Sequence, residues 1–280
     1  VVYDRSFDNY SPDRLALASE LVQAVQGGEL VLHYQPKLDI ASGQVTGFEA
    51  LVRWQNPRRG LLYPGAFIHL VEMNDVIHPF TTAIMDLALA DKRRLHDLGY
   101  TQPVAINLSV RNLMDAHYVT RLADAIARHG IPEREVELEL TETALMHDPD
   151  SSVALLQEIA AMGVNIAVDD FGTGYSSLAY LRRLPLSALK IDRSFVMGMN
   201  GNTQDAIIVR STVALAHSLG LRVIAEGVED AEALALLASM GCEQAQGYHM
   251  SRPLPLNELI AWLQARSGQG ATIIDQTACT

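Results

Sequence analysis

Short apolar segments recur along the chain at intervals that leave room for one helix between neighbours. We predict strands at Val104–Leu108, Val136–Leu140, Val164–Val168, Ala188–Ile191, Arg222–Ala225 and, with a weaker pattern, Glu243–Tyr248. Their first residues lie between 21 and 34 positions apart, and amphipathic stretches such as Thr82–Leu98 lie beside them. Parallel strands need crossovers of this length, so the pattern indicates repeated βα units.

Two further strands, Leu30–Lys37 and Val45–Trp54, precede this series and are joined by a short turn at Gly43. Strands with so brief a connection are expected to run antiparallel. Eight strands in this arrangement predict an α/β fold, a closed (β/α)8 TIM-like barrel in which one early strand is irregular. An open, doubly wound parallel sheet is the alternative.

The domain boundaries are predicted from changes in the pattern. A helix is expected to begin at Ser11-Pro12 and to end at Gly27-Gly28, because these residues suit the two ends of a helix. We expect residues 1–12 to be a linker from an upstream domain, 13–266 to be one folded domain, and 267–280 to be a flexible C-terminal tail.

The formal charge of the 280-residue chain is −12, from 33 acidic and 21 basic residues. An acidic surface disfavours binding to a DNA or RNA polymer and docking on an anionic membrane. The most apolar stretch, Ala206–Val228, is interrupted by charged residues and does not resemble a membrane span. Two cysteines, Cys242 and Cys279, form neither a disulfide framework nor a cysteine-based zinc site, so we expect a reducing, cytoplasmic location.

Polar residues stand at the carboxyl ends of seven of the predicted strands, where barrels of this kind carry their chemistry. In chain order they are Glu49, Asn107, Glu139 with Glu142, Asp169 with Asp170, Lys190 with Asp192, Glu226 and Gln246. Several have an ordinary alternative: a surface position for Glu49, the solvent face of an alternating strand for Glu139, helix capping for the aspartate pair, the start of a helix for Glu226, or an ion pair with Asp192 or a barrel carboxylate for Lys190. The coincidence of all of them at one rim favours a functional site.

Five carboxylates at one rim would repel one another unless cations held them together. They are Glu49, Glu139, Asp169, Asp170 and Glu226. Oxygen ligands with one amide favour Mg²⁺ or Mn²⁺ over zinc, and two adjacent aspartates suit a site that binds two ions. Lys190 could orient water, accept its proton or stabilise developing charge; the residues alone leave these roles open.

The segment Asp170-Phe-Gly-Thr-Gly-Tyr-Ser-Ser-Leu178 is rich in glycine and suits a tight loop beside a ligand. Its Asp-Phe-Gly triplet also occurs in protein kinases. The chain lacks the catalytic His-Arg-Asp and the glycine-rich strand–loop of that class, so the kinase interpretation is excluded.

An ordered set of motifs resembles the EAL domains, bacterial phosphodiesterases of cyclic di-GMP. The motifs are Tyr34-Gln-Pro-Lys37, Glu49-Ala50-Leu51 within Gly47–Trp54, Asn107-Leu-Ser109, Glu139-Leu-Thr-Glu142, Asp169–Leu178, Lys190-Ile-Asp192, Ala225–Glu229 and Gln246-Gly-Tyr248. The resemblance extends from about Leu15 to Leu263, nearly the whole chain.

This resemblance implies a barrel with an antiparallel first strand, two Mg²⁺ or Mn²⁺ ions, and hydrolysis of cyclic di-GMP to linear pGpG. Carried over by motif, the ligands of one ion would be Glu49, Asn107, Glu139 and Asp169, and those of the other Asp169, Asp170 and Glu226. Ca²⁺ is expected to inhibit turnover.

The same resemblance implies roles for other residues. Lys190 would contact the attacking water and, with the ligands Glu49 and Glu226, form the catalytic centre. Gln35, Arg53 and Gln246 would bind substrate, Arg53 through phosphate. Glu142 would fix the loop at 170–178, and Asp192 and Glu229 would support the cluster. Met250 replaces the usual phenylalanine before Ser251, which puts guanine affinity in question.

The resemblance also implies a homodimer, and the leading segment resembles the junction after a GGDEF domain, so an upstream GGDEF or sensory domain is expected. Two alternatives remain. A catalytically inactive receptor would bind cyclic di-GMP without cleaving it, but such members typically lack metal ligands that are all present here. A barrel enzyme acting on carbon acids, in the manner of the enolase superfamily, would ignore the nucleotide.

Overall fold

Eight strands of one sheet close on themselves into a barrel, in a computed structural model that describes residues 12–145, 148–173 and 178–269. Within these residues the strands are β1 Leu30–Asp39, β2 Val45–Asn56, β3 Gly60–Leu62, β4 Val104–Asn107, β5 Val136–Thr141, β6 Asn165–Phe171, β7 Ala188–Ile191, β8 Arg222–Ala225, β9 Gln244–Ala245 and β10 Leu254–Pro255. The sheet closes because β1 pairs with both β2 and β9. Short strands β3 and β10 add to β2 and β1 outside the closed ring, and the sequence pattern did not predict them.

The predicted fold class is confirmed. Strand β1 runs antiparallel to both of its neighbours in the ring, whereas the pairs from β2–β4 to β8–β9 are parallel. Closure of the ring excludes the open, doubly wound sheet. The antiparallel register places Gln35 of β1 opposite Glu49 of β2.

Two predicted strands differ from the observed ones by more than two residues at an end. The prediction Glu243–Tyr248 is wrong beyond Ala245, because the chain turns where Gly247 lies against the backbone of Val228. A β-carbon at Gly247 would meet the carbonyl oxygen of Val228 at 2.1 Å, so only glycine permits this close approach. Strand β6 continues past its predicted end at Val168 to Phe171.

Helices surround the barrel and pack their apolar faces against it. Their bounds within the described residues are α1 Pro12–Gly27, α2 Pro64–Met73, α3 Ile77–Asp97, α4 Val110–Leu113, α5 Tyr118–His129, α6 Glu142–Leu145, α7 Pro149–Ala161, α8 Leu178–Leu181, α9 Arg193–Gly198, α10 Thr203–Ser218, α11 Ala231–Met240 and α12 Leu256–Gln269. None of these helices is both long enough and apolar enough to cross a membrane.

The observed helix ends bear on two predictions. Helix α3 starts five residues before the predicted Thr82, because Pro79 lies in its first turn, where no intrahelical N–H is required. Helix α12 includes residues 267–269, which the sequence pattern had assigned to the tail. Residues 1–11 and 270–280 lie outside the described residues, so the predicted linker and tail remain predictions.

The barrel interior combines small apolar residues with buried charges. Ala167, Ala188 and Ile224 form an inner cluster of their own, apart from the main core between barrel and helices. Side chains two residues apart on a strand share a face, so Ala167 and Ala188 line the interior below Asp169 and Lys190. Their small size leaves room for long charged side chains inside the barrel.

A buried ion pair fixes α3 to the start of β5. Lys92 Nζ lies 2.7 Å from Glu135 Oε2, and both side chains are at most 1% exposed. Lys92 also donates a hydrogen bond to the carbonyl oxygen of Tyr100 at 2.6 Å, and His96 Nδ1 lies 2.9 Å from Glu135 Oε2. The pair thereby anchors the strand that carries Glu139.

Loss of one partner of this pair should destabilise the fold more than loss of both. Glu135→Leu leaves the Lys92 charge buried without its carboxylate, and we expect the free energy of unfolding to fall by about 3–5 kcal/mol. Adding Lys92→Met should recover much of that loss, because no unpaired charge remains. Urea denaturation measures both variants; a double variant less stable than Glu135→Leu would contradict this role of the pair.

Candidate active site

The predicted site residues converge at the carboxyl end of the barrel because of strand register and alternation. Asn107 of β4 is in register with Glu139 of β5. Glu226 directly follows β8, and its N–H donates to the carbonyl oxygen of Ile191 at 3.1 Å, which keeps it beside β7. Adjacent strands therefore present their last polar side chains at one level of the barrel.

Five carboxylates form two groups that share one member. Oxygens of Glu49, Glu139 and Asp169 lie within 4.8 Å of one another, and so do oxygens of Asp169, Asp170 and Glu226. The predicted carboxylates are thus brought together. Such oxygen-only sets suit hard divalent cations, and a shared aspartate is the arrangement that a two-ion site uses.

Lys190 occupies the centre of this cluster with its side chain fully buried. Its Nζ lies 2.6 Å from Glu226, 2.7 Å from Glu139, 3.1 Å from Asp169 and 3.5 Å from Glu49. Burial lowers the pKa of Lys190, but the four carboxylates outweigh it and raise that pKa well above its usual value. Its described ion pairs are with barrel carboxylates rather than with Asp192.

The carboxylates differ in how far nearby positive charges offset the cost of burying them. Burial raises the pKa of Glu139, but Lys190 and Lys37 outweigh burial and bring that pKa to about 2. Burial and the charge of Asp169 raise the pKa of Asp170 to about 6, and burial also raises the pKa of Glu226. Burial thus disfavours the charged form of Asp170 and of Glu226, even though Lys190 contacts Glu226, and a bound cation would stabilise both carboxylates.

A backbone irregularity lets two consecutive aspartates join one site. Neighbouring residues of a regular strand point to opposite faces. The register between β6 and β7 shifts between Val168 and Phe171, and Asp170 has φ = 52°, a left-handed conformation that is unusual for a residue other than glycine. Such a conformation costs about 1–3 kcal/mol and is typical of functional sites.

Amide side chains fix Glu49 from two sides. Asn107 donates to Glu49 Oε1 at 3.1 Å, and Gln246 Nε2 donates to Glu49 Oε2 at 2.5 Å. Gln246 Nε2 also donates to Gln35 Oε1 at 3.0 Å, and Gln35 Nε2 donates to the carbonyl oxygen of Ser251 at 3.0 Å. This network joins the carboxylate cluster to the segment after β9.

Arg53 supplies positive charge beside the cluster. Its guanidinium donates to the carbonyl oxygen of Val52 at 2.8 Å and lies 4.9 Å from the ring centre of Tyr63. The Nε atom is buried and has no hydrogen-bond partner among the described residues. Arg53 lines a cleft of about 1190 Å³ together with the carboxylates, so it can offer donors to an anion there.

Three other predicted residues are less central. Glu142 is buried and accepts a hydrogen bond at 3.0 Å from the N–H of Gly172, where the loop at 170–178 begins; residues 174–177 of that loop lie outside the described residues. Asp192 caps α9 and contacts Asp170. Glu229 is exposed at the cleft, and the described residues include no hydrogen bond or ion pair between it and the cluster.

Sequence reasoning missed two charged residues beneath the cluster. Lys37 Nζ lies 2.6 Å from Glu137 Oε1 and 2.5 Å from Glu139 Oε1, with all three side chains buried. Glu137 and Glu139 alternate with leucines, which also fits a solvent-facing side of a strand. A lysine two residues after Gln35, on the same face of the predicted strand Leu30–Lys37, was the signal that these glutamates face inward.

Comparisons with known proteins identify relatives of this chain. The family model described as EAL domain matches residues 18–253. The cyclic di-GMP phosphodiesterase NbdA of Pseudomonas aeruginosa is 46% identical over 252 residues, which are 90% of this chain and 32% of that protein. The bifunctional diguanylate cyclase/cyclic di-GMP phosphodiesterase MucR of the same species is 40% identical over 260 residues, 92% of this chain and 38% of that protein. The chain thus spans about a third of the length of these curated relatives.

Solved structures of EAL proteins have a similar fold. The PaMucR phosphodiesterase in complex with c-di-GMP has a TM-score of 0.85 and 41% identity, covering 87% of this chain and 99% of that chain. The EAL enzyme Bd1971, in its cAMP and cyclic-di-GMP bound form, has a TM-score of 0.85 and 34% identity, covering 90% of this chain and 69% of that chain.

Lys190 should behave as a stand-in for bound cations. In the presence of a chelator, Lys190→Met leaves four carboxylates without their ammonium, and we expect the free energy of unfolding to fall by about 3–5 kcal/mol. Saturating Mn²⁺ should raise the unfolding temperature of this variant more than that of the unmodified chain, because the ion also replaces the missing charge.

Lys92→Met is the matched control, since it removes an equally buried lysine from an ion pair outside the cluster. Its gain from Mn²⁺ should equal that of the unmodified chain. An equal gain for Lys190→Met would contradict the proposed compensation.

Proposed function

The chain belongs to the EAL domain family, and we propose from this that it hydrolyses one phosphodiester bond of cyclic di-GMP to give linear pGpG. The observation that carries the proposal is the pair of carboxylate groups that share Asp169 beside Lys190. Every residue of the predicted ligand set carries a carboxylate or amide oxygen that can bind a cation.

Two divalent cations, Mg²⁺ or Mn²⁺, would be held by the two carboxylate groups. Glu49, Asn107, Glu139 and Asp169 would bind one, and Asp169, Asp170 and Glu226 the other. The donor chemistry supports this, because carboxylate and amide oxygens are the ligands that these ions prefer. When bound, the ions would polarise the phosphodiester and lower the pKa of water.

The chain's own residues bind and orient the reactants. Arg53 would donate hydrogen bonds to a phosphate, since its side chain lines the cleft and its one hydrogen bond within the described part of the chain is from Nη1 to the carbonyl oxygen of Val52. Lys190 presents N–H donors from the barrel interior to the space that the carboxylates face, a position from which it would orient the attacking water. Gln246 and Gln35 would hold Glu49 and adjacent substrate groups in place.

The cleft suits a large, partly apolar anion. Its volume of about 1190 Å³ lies above the roughly 300–1,000 Å³ of sites for small ligands. Ile68, Phe80, Ile84, Tyr248 and Pro253 line it together with Arg53 and the carboxylates. A lining that is partly apolar and partly polar fits a cyclic dinucleotide, which carries both bases and phosphates.

The purified chain should convert cyclic di-GMP to pGpG when Mg²⁺ or Mn²⁺ is present. Product formation is followed by anion-exchange chromatography. A chelator should abolish it, and Ca²⁺ should support nucleotide binding without turnover, because its longer bonds and flexible coordination suit the site less well. Nucleotide that binds but stays intact at micromolar enzyme with Mn²⁺ would contradict hydrolysis and favour a receptor.

Removal of the negative charge of Glu49 tests the assignment of the cation ligands. Glu49→Gln keeps a side chain of the same shape and one oxygen that can accept from an amide donor, but it replaces the other oxygen by an NH2 group and removes one negative charge from the ligand set. We expect turnover to fall by at least about 100-fold, the upper end of the effects of residues outside the ligand set. Asp97→Asn, which changes an exposed carboxylate on α3, is the control and should keep full activity. Turnover of Glu49→Gln near that of the control would refute the ligand assignment.

A further inference from the structure

Lys37 is a buried cation that the proposed reaction leaves without a role. Its side chain is 3% exposed, and its Nζ contacts one oxygen each of Glu137 and Glu139, at 2.6 Å and 2.5 Å. Burying an ammonium is unfavourable unless carboxylates compensate it. Both compensating carboxylates lie on β5, two residues apart, so Lys37 ties β1 to the interior face of that strand.

The two oxygens of Glu139 have different partners. Oε1 accepts a hydrogen bond from Lys37, and Oε2 accepts one from Lys190 at 2.7 Å. Lys190 is in turn in contact with the other carboxylates of the cluster. Glu139 therefore directs Oε2 into the carboxylate cluster, while Lys37 holds Oε1 on the side away from the cluster.

The series of ion pairs extends from Glu137 toward the amino ends of the parallel strands. Arg222, the first residue of β8, lies with its Nη2 3.9 Å from Glu137 Oε2. Charges alternate in sign along this line, and we name it the ionic column: Arg222, Glu137, Lys37, Glu139 and Lys190. Opposite charges on both sides hold Lys37 at a fixed height in the barrel.

We propose that Lys37 is a positioning residue for cation binding: it clamps Glu139 Oε1 so that Oε2 stays directed into the carboxylate cluster. The role rests on the proposed function, because it takes Glu139 to be a cation ligand. Hydrogen bonds to ligating carboxylates commonly orient them, and their removal typically weakens metal affinity or activity by about 10–100-fold.

A positioning role and a purely electrostatic role of Lys37 predict opposite changes in cation affinity when this lysine is removed. If Lys37 acted only as a nearby positive charge, its removal would reduce repulsion and strengthen cation binding. If it positions Glu139, its removal frees that side chain to rotate and weakens cation binding. The direction of the change in affinity therefore distinguishes the two roles.

The test is a calorimetric titration of Mn²⁺ into the apo chain, without nucleotide. We expect Lys37→Met to raise the Kd for Mn²⁺ by about 10–100-fold, and to raise by a similar factor the Mn²⁺ concentration that half-activates hydrolysis. Lys37→Met/Glu137→Met should give the same result. This second variant removes Lys37 together with a carboxylate that it compensates, so it avoids an unpaired Glu137 and is expected to fold where the single variant does not.

The matched control is Lys92→Met/Glu135→Leu, which removes a buried lysine–glutamate pair outside the cluster and should bind Mn²⁺ as the unmodified chain does. Equal or tighter Mn²⁺ binding by the folded Lys37 variants would overturn the positioning role and leave the proposed function intact. Absence of Mn²⁺ binding by the unmodified chain would overturn the proposed cation site itself, and the role of Lys37 with it.

Discussion

The carboxylate cluster of this barrel depends on the buried ammonium group of Lys190. Lys190 lies within 3.5 Å of four carboxylates, which in a medium of low polarity could not remain ionised side by side without a cation. Room for it exists because small side chains, Ala167 and Ala188, line the barrel below. Size and charge are thus matched: the small residues make a polar interior sterically possible, and Lys190 makes it electrostatically possible.

The antiparallel direction of β1 determines which groups meet inside the barrel. Gln35 and Lys37 lie two residues apart on one face of β1. Because β1 runs against the other strands, Gln35 reaches Gln246 near the carboxyl ends, while Lys37 lies deeper, opposite Gly47 at the start of β2. One strand therefore contributes an amide to the substrate cleft and an ammonium beneath the carboxylates. A parallel first strand would reverse that order.

The barrel and the membership of its cluster follow from the sequence because both rest on local patterns. Apolar runs of four or five residues locate the strands, and the carboxyl-end rule then collects Glu49, Asp169 and Glu226. Contacts between distant segments lie beyond such patterns. The turn after Ala245 depends on the approach of Gly247 to Val228, and the partners of Lys37 lie 100 residues away or more. The left-handed Asp170 likewise depends on a register shift against β7.

Charge balance connects the acidic chain to an anionic substrate. Five carboxylates and Lys190 leave four negative charges in the cluster when all are ionised, and a dinucleotide would be repelled by them. Two divalent cations would balance those four charges, and Arg53 would then add positive charge at the cleft. Substrate affinity is therefore expected to arise only after the cations bind, since a chain of charge −12 provides little other attraction for phosphate. On the proposed function, the acidic residues at this rim would recruit the ions that a small cyclic dinucleotide needs.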